Sequence, residues 1–301
     1  MIASAPGKLV VSGAYVVLDG APAVVTAVDR RATADASRRA VAEHHAQLGP
    51  DEVGPPHVDS GSLRMDGRKL GLGSSAAVLV AAIGARELAL GRALDADARV
   101  RIALEAYEAH RTAQGGGSGI DIVTATEGGT LLCEVASGEP PRRRPVRLPC
   151  ELVLEVWACP ESASTSGLLG PVRELRRLDE RRYQALTGPA RQGAEQVAEA
   201  LLGGDLDSML AGLQRQTEAM TALGEAAGVP ILPPYLLHLA QRRDRGTVVM
   251  QSGAGGGDIA LHLGRRPSSE AWRAEAALAG LQRLTLGVEA VGLQAEPWPP
   301  V

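Results

Sequence analysis

Three glycine-rich turns, at 71–77, 115–121 and 252–258, constrain this 301-residue chain more than any other feature. The backbone must change direction there without side-chain bulk, and the apolar runs between the turns must be regular elements. Gly71-Leu72-Gly73-Ser74-Ser75-Ala76-Ala77 feeds a long apolar helix that stops at Gly91. Asp95 and Asp97 open a second helix, to about Ala113, with Val100, Ala103, Leu104 and Tyr107 at helical spacing. Gly115 to Asp121 leads into an apolar segment read as strand-like. Ser252 to Asp258 lies between TVVMQ and IALHL, a strand–turn–strand pattern.

The rest follows the same punctuation. Residues 1–36 predict a strand through LVVSGAYVVL, a hairpin-type turn at Asp19-Gly20 and a second strand. Residues 46–61 read as a loop, and ELVLEVWA as a strand. Helices are expected near 165–182, 188–203 and 207–222, with Pro189 near one start, and near 234–243 and 270–283; a strand at 286–294 closes the chain. Strands and helices mixed in both halves predict an α+β protein of two domains. The Pro/Arg-rich segment 138–148 sets the expected division at 1–148 and 149–301.

Composition excludes several classes. With 45% hydrophobic and 22% charged residues the chain builds a core and is not globally disordered. A net charge of −4 offers no basic footprint for nucleic acid or an anionic membrane. Cys133, Cys150 and Cys159 lack CxxC spacing, so reduced thiols are expected. MIASAPGKLVV lacks the pattern of a signal peptide, and no run of 18 apolar residues occurs, so a cytoplasmic protein is expected. Phe and Asn are absent, and only Lys8 and Lys69 among 31 basic residues are lysine. A chain that uses arginine wherever either residue serves marks its lysines as positions where a planar fork fails.

Each motif admits a structural and a chemical reading. The first turn is either a tight entry into a buried helix or an anion site made by first-turn N–H groups, with Ser74 and Ser75 available to phosphate or Mg²⁺. It is not a Walker A loop. Asp121 is either a turn aspartate or a general base, and Lys8 either a surface lysine or the charge facing a moving phosphoryl group. The four glycines of 252–258 let a ligand approach the backbone, while Asp258 is read as holding the turn.

Together these segments resemble the GHMP kinase superfamily: SAPGKLVVSG at 4–13, KLGLGSSAA at 69–77 and SGAGGGD at 252–258 occur in the superfamily's order. AHRTAQGGGSGID at 109–121 and ESASTS at 161–166 look most like the phosphomevalonate kinases within it. The resemblance implies a ribosomal-S5-like amino-terminal domain, a ferredoxin-like carboxy-terminal domain, and ATP and acceptor in a cleft. It implies ATP phosphates at Lys69, Gly71, Leu72, Gly73, Ser74, Ser75 and Ala76, with Ser75 on Mg²⁺. Lys8 and Asp121 take the catalytic places, and Ser252, Gly253 and Ala254 the acceptor, 5-phosphomevalonate.

Two departures stand out. Ala14 replaces the glutamate of the usual S-G-E-Y, and His110 stands eleven residues before Asp121, where mevalonate kinases have a metal-binding glutamate. His110 and Arg111 are either a helix-surface pair or contacts to an acceptor phosphate, with Ser118 beside them. A mevalonate kinase is the second enzyme reading, and a GHMP-fold protein that binds ligand without catalysis is the reading from another class. A monomer or homodimer is expected.

Overall fold

The computed structural model describes residues 1–39, 56–114, 116–136, 138–161 and 165–297. Among these lie β1 (Ile2–Ser12), β2 (Ala23–Arg39), β3 (Pro56–Asp59), β4 (Arg64–Met65), β5 (Arg68–Lys69), α1 (Ser74–Ala89), α2 (Ala96–Gln114) and α3 (Ile120–Glu127). There follow β6 (Thr130–Glu134), β7 (Arg142–Val146), β8 (Val153–Ala158), α4 (Thr165–Leu178), α5 (Glu180–Gly203), α6 (Leu206–Ala227) and α7 (Pro234–Gln241). Strands β9 (Val248–Gln251) and β10 (Ile259–Gly264), helix α8 (Glu270–Leu278), and strands β11 (Gln282–Leu284) and β12 (Gln294–Glu296) complete the order. The chain forms two compact units, one of Met1–Leu9, Val25–Pro145 and Leu286–Val301, the other of Val10–Val24 and Val146–Thr285. The expected single division at 148 thus gives way to a discontinuous one.

In the first unit a sheet runs β12-β1-β2-β6-β7, with β3 added on β2. Helices α1, α2 and α3 pack together over a core that includes Ala76, Leu79, Ile83, Ala106, Ile122 and Leu293. The Pro/Arg-rich segment expected to mark the division contains β7, at the end of this sheet. Its exposed Arg142 and Arg144, together with Pro145, discourage further strand pairing.

The second unit has an antiparallel sheet of order β11-β8-β10-β9. Taken from β8, the connection strand–helices–strand–strand–helix–strand is ferredoxin-like. Helices α5 and α6 approach unusually closely where Gly193 meets Gly212. A Cβ on Gly193 would lie 2.5 Å from the Gly212 carbonyl oxygen, and one on Gly212 would lie 2.7 Å from that of Gly193. Close backbone packing of this kind helps form a core in a chain without Phe.

Several local expectations are corrected. Val16–Asp19 is a 3-10 turn, not the end of a strand. Asp121 begins helix α3 rather than preceding a strand. Gly119, at φ 71°, turns the chain into that helix, and Ile122 and Ala125 bury against α1 despite the β-branched composition. Pro189 lies inside α5; the helix starts instead at Asp179, whose carboxylate accepts the Arg182 N–H at 2.9 Å. Pro56–Asp59, expected in a loop, pairs with β2, and the remainder of that loop up to residue 55 lies outside the described residues. The last helix is shorter than expected, β11 follows it, and β12 begins only at Gln294.

A buried ionisable cluster lies within the second sheet. His262 of β10 pairs across the ladder with Glu155 of β8. Its ring is fully buried, with Nδ1 3.6 Å from Glu155 and Nε2 3.9 Å from Asp244. Burial lowers the His262 pKa from 6.5 even though both carboxylates oppose the shift. The Glu155 carboxylate is itself held low: burial would raise it, but the hydrogen bonds from Ser268 and the charge of Arg283 outweigh this. Unfolded chains bind a proton at His262 that the folded chain resists, so stability falls as pH drops below 6.5. A His262→Gln variant is therefore expected to flatten that part of a melting-temperature profile, while the carboxylate limb below 4.5 persists.

Candidate active site

The first unit joins Lys8 to the 71–77 turn. The Lys8 N–H donates to the Leu72 carbonyl at 2.9 Å, and Nζ reaches the Gly71 carbonyl at 3.4 Å. Gly73, at φ 72° and ψ 33°, caps α1 in the left-handed region. A Cβ there would stand 3.0 Å from Cγ and 3.1 Å from Cε of Lys8, so the missing side chain is what lets the lysine stem cross the turn. The first turn of α1 holds no acidic residue, and Gly73 brings no side-chain cap. First-turn amides, the helix dipole and an ammonium thus combine where Ser74 and Ser75 are half-buried, an arrangement suited to phosphate. Leu72 and Ala76 are buried and offer a ligand only their main chain. Lys69 is exposed in the small β4–β5 hairpin, opposite Arg64.

Asp121 stands in the first turn of α3, which packs on α1. Its Oδ1 accepts the Ile122 N–H at 3.0 Å, and its Oδ2 lies 3.8 Å from Nε2 of His110. His110 is 7% exposed and its Nε2 makes no hydrogen bond among the described residues. The histidine therefore faces Asp121 from inside the core and does not form a surface pair with exposed Arg111. Ser118 is half-buried at the turn into α3. Gly115 and half of the ESASTS segment, Ser162 to Ser164, lie outside the described residues.

In the second unit, the tail of the first motif meets the 252–258 turn. The Ser252 hydroxyl accepts the Val10 N–H at 2.9 Å and donates to the Val10 carbonyl at 3.1 Å, while the Ser252 N–H donates to Ile259 at 3.0 Å. Expected as an acceptor contact, Ser252 pins the turn to β1, with its hydroxyl and its N–H both donating within the chain. Gly253 and Ala254 form the half-buried part of the turn, while Gly255, Gly256 and Gly257 are buried. Gly256 donates to the Ile231 carbonyl at 3.0 Å. The Tyr15 hydroxyl donates to the Ala254 carbonyl at 2.7 Å, and burial raises its pKa, which keeps the donor protonated.

Two of these positioning groups escaped the sequence reading. Gln216 accepts the Gly13 N–H at 2.8 Å and bonds the Ser12 hydroxyl. Its signal was a polar residue on the buried face of α6, in line with Leu213 and Met220. Asp19, read only as a turn former, takes Arg176 and the Tyr183 hydroxyl, each at 2.6 Å. Nothing local announces that role.

Residues 60–129 match the GHMP kinases N terminal domain family. A phosphomevalonate kinase from Streptomyces sp. (strain CL190) is 28% identical over 87% of this chain and 89% of its own. A mevalonate kinase from Archaeoglobus fulgidus is also 28% identical, over 89% of this chain and 94% of its own. Among solved structures, Streptococcus pneumoniae phosphomevalonate kinase in complex with phosphomevalonate and AMPPNP superposes with a TM-score of 0.77. Its identity is 18%, with 96% of this chain and 100% of that one covered. No described helix is long and apolar enough to cross a membrane. Residues 60–129 thus form a GHMP kinase amino-terminal domain, and with kinases as relatives over most of its length the chain is a phosphotransferase.

Proposed function

We propose that this kinase transfers the γ-phosphoryl group of ATP to the phosphate of 5-phosphomevalonate, giving 5-diphosphomevalonate and ADP in the mevalonate route to isoprenoids. The observation that carries the phosphoryl-transfer reading is Lys8 laid across an acid-free helix N-terminus. The α1 amides and the Gly71–Gly73 backbone receive the triphosphate. Lys8 balances the charge that spreads over the equatorial oxygens as the bond from Pγ to the bridging oxygen breaks.

Mg²⁺ fits this donor set. Ser75 offers a hydroxyl oxygen, and Mg²⁺ bound to phosphates keeps most of its ligands as water and phosphate oxygen. The described residues accordingly need no cluster of three His, Cys, Asp or Glu groups, and contain none. The ion supplies charge neutralisation when bound.

The acceptor reading rests on chemistry as well as on relatives. A phosphate oxygen is largely ionised near neutrality and attacks without losing a proton, whereas an alcohol benefits from a base. Asp121 has His110 beside it where a second carboxylate would repel a dianionic acceptor. We assign Asp121 the orientation of Lys8 or the metal ion rather than proton removal.

Two measurements test the proposal. ADP release with ATP·Mg²⁺ is expected with 5-phosphomevalonate and not with mevalonate; the reverse preference supports the mevalonate kinase reading suggested by the archaeal relative. Silence with both, despite nucleotide binding, supports a non-catalytic protein. Asp121→Asn is expected to keep turnover within roughly tenfold of the parent, since no proton must move. A loss of about a thousandfold or more at saturating substrates would restore the base role.

A further inference from the structure

Tyr15 sits in a backbone conformation that side chains rarely occupy. Its φ of 64° and ψ of −56°, with the Val16 N–H donating to the Ala14 carbonyl at 2.8 Å, define a γ-turn of the rare, strained hand. Such a conformation persists only where its surroundings overdetermine it. Here they do. Gln216 holds Gly13 on one side. On the other, Asp19 is held by Arg176 and Tyr183 through its carboxylate and by Arg191 through its carbonyl, each at 2.6 Å. Tyr15 is 6% exposed, and its hydroxyl ends on Ala254.

A Tyr that only filled the core would need neither the strain nor the hydroxyl. The peptide that it grips explains both. Ala254 and Gly255 share a planar trans peptide, in which C=O and N–H point in opposite directions. Holding the Ala254 oxygen on Tyr15 therefore turns the Gly255 N–H the other way. Glycines at 253, 255, 256 and 257 all have positive φ, so this turn has little intrinsic preference against a peptide flip. A flip would present a carbonyl oxygen where an anion needs an amide.

We infer that Tyr15 is a positioning residue for the acceptor: its γ-turn aims the hydroxyl at Ala254 and locks the Gly255 amide in the anion-binding orientation. The inference rests on the proposed reading that this turn receives a phosphorylated acceptor.

Tyr15→Phe removes the lock and little else. The expected result is an acceptor KM raised roughly fivefold or more, the effect of one lost hydrogen bond, with ATP KM and melting temperature essentially unchanged. Hydrogen exchange of ligand-free enzyme should show faster exchange of the 253–257 amides. Parental acceptor KM with unchanged exchange would overturn the inference. So would an equal rise in both KM values with a lower melting temperature, which marks a general structural role. If Tyr15→Phe does not fold, Asp19→Asn loosens the same turn from outside and should give the same KM split in weaker form; no split there would also overturn it. The exchange measurement needs no acceptor, so it judges the lock even if the parent enzyme proves to use mevalonate alone.

Discussion

Lys8→Met is expected to lower kcat by about a thousandfold or more while the protein stays folded, because the ammonium acts on charge that appears only in the transition state. Lys8 is half-buried on the edge of the 71–77 turn, so its removal empties no core position. ATP binding should weaken far less, since the first-turn amides of α1 remain. Lys8→Arg should recover little. The Gly73 backbone leaves only 3.0 Å between a hypothetical Cβ and the lysine stem. A planar guanidinium beyond that gap cannot place a compact charge as an ammonium does. Steady-state kinetics with thermal melting as control checks both variants; a Lys8→Arg enzyme near parental kcat would remove the lysine's special standing.

Gly255→Ala is expected to cost much of the protein's stability. Gly255 has φ +82°, and an added Cβ would lie 2.1 Å from the Ile231 carbonyl oxygen, closer than any real contact. That same oxygen receives the Gly256 N–H. The turn or the 228–233 segment must shift, breaking this bond. Strain, a lost hydrogen bond and the forced displacement together come to about 3 kcal/mol or more. Gly228→Ala is the control: it also has positive φ, at +68°, but nothing lies within 4 Å of the added Cβ. That variant should lose only about 1 kcal/mol, the cost of the backbone conformation alone. Denaturant unfolding distinguishes the two, and equal losses would mean that close packing at Ile231 does not matter.

What was legible in the sequence was what neighbouring residues decide among themselves. The 71–77 turn is a glycine turn and the first turn of one helix, all contiguous, so its suitability for an anion could be read directly. Lys8 could be singled out because the chain uses arginine almost everywhere else. Asp121 was found but its helix was not, since the β-branched run after it favours a strand until packing on α1 decides otherwise. Ser252 was read from its motif as a ligand contact; its partner, Val10, is 242 residues away. The strained turn at Tyr15 was equally invisible. It depends on Arg176, Tyr183 and Arg191, which come to Asp19 from helices α4 and α5. Propensity cannot anticipate a conformation that distant side chains impose.

The proposed acceptor atom is a phosphate oxygen. Its most direct measurement is ³¹P nuclear magnetic resonance of the products after incubation with ATP·Mg²⁺ and 5-phosphomevalonate, with mevalonate in a parallel sample. Expected are loss of the phosphomonoester signal and growth of a coupled pair of diphosphate resonances besides those of ADP, with no change in the mevalonate sample. A new phosphomonoester formed from mevalonate, with 5-phosphomevalonate left untouched, would contradict it.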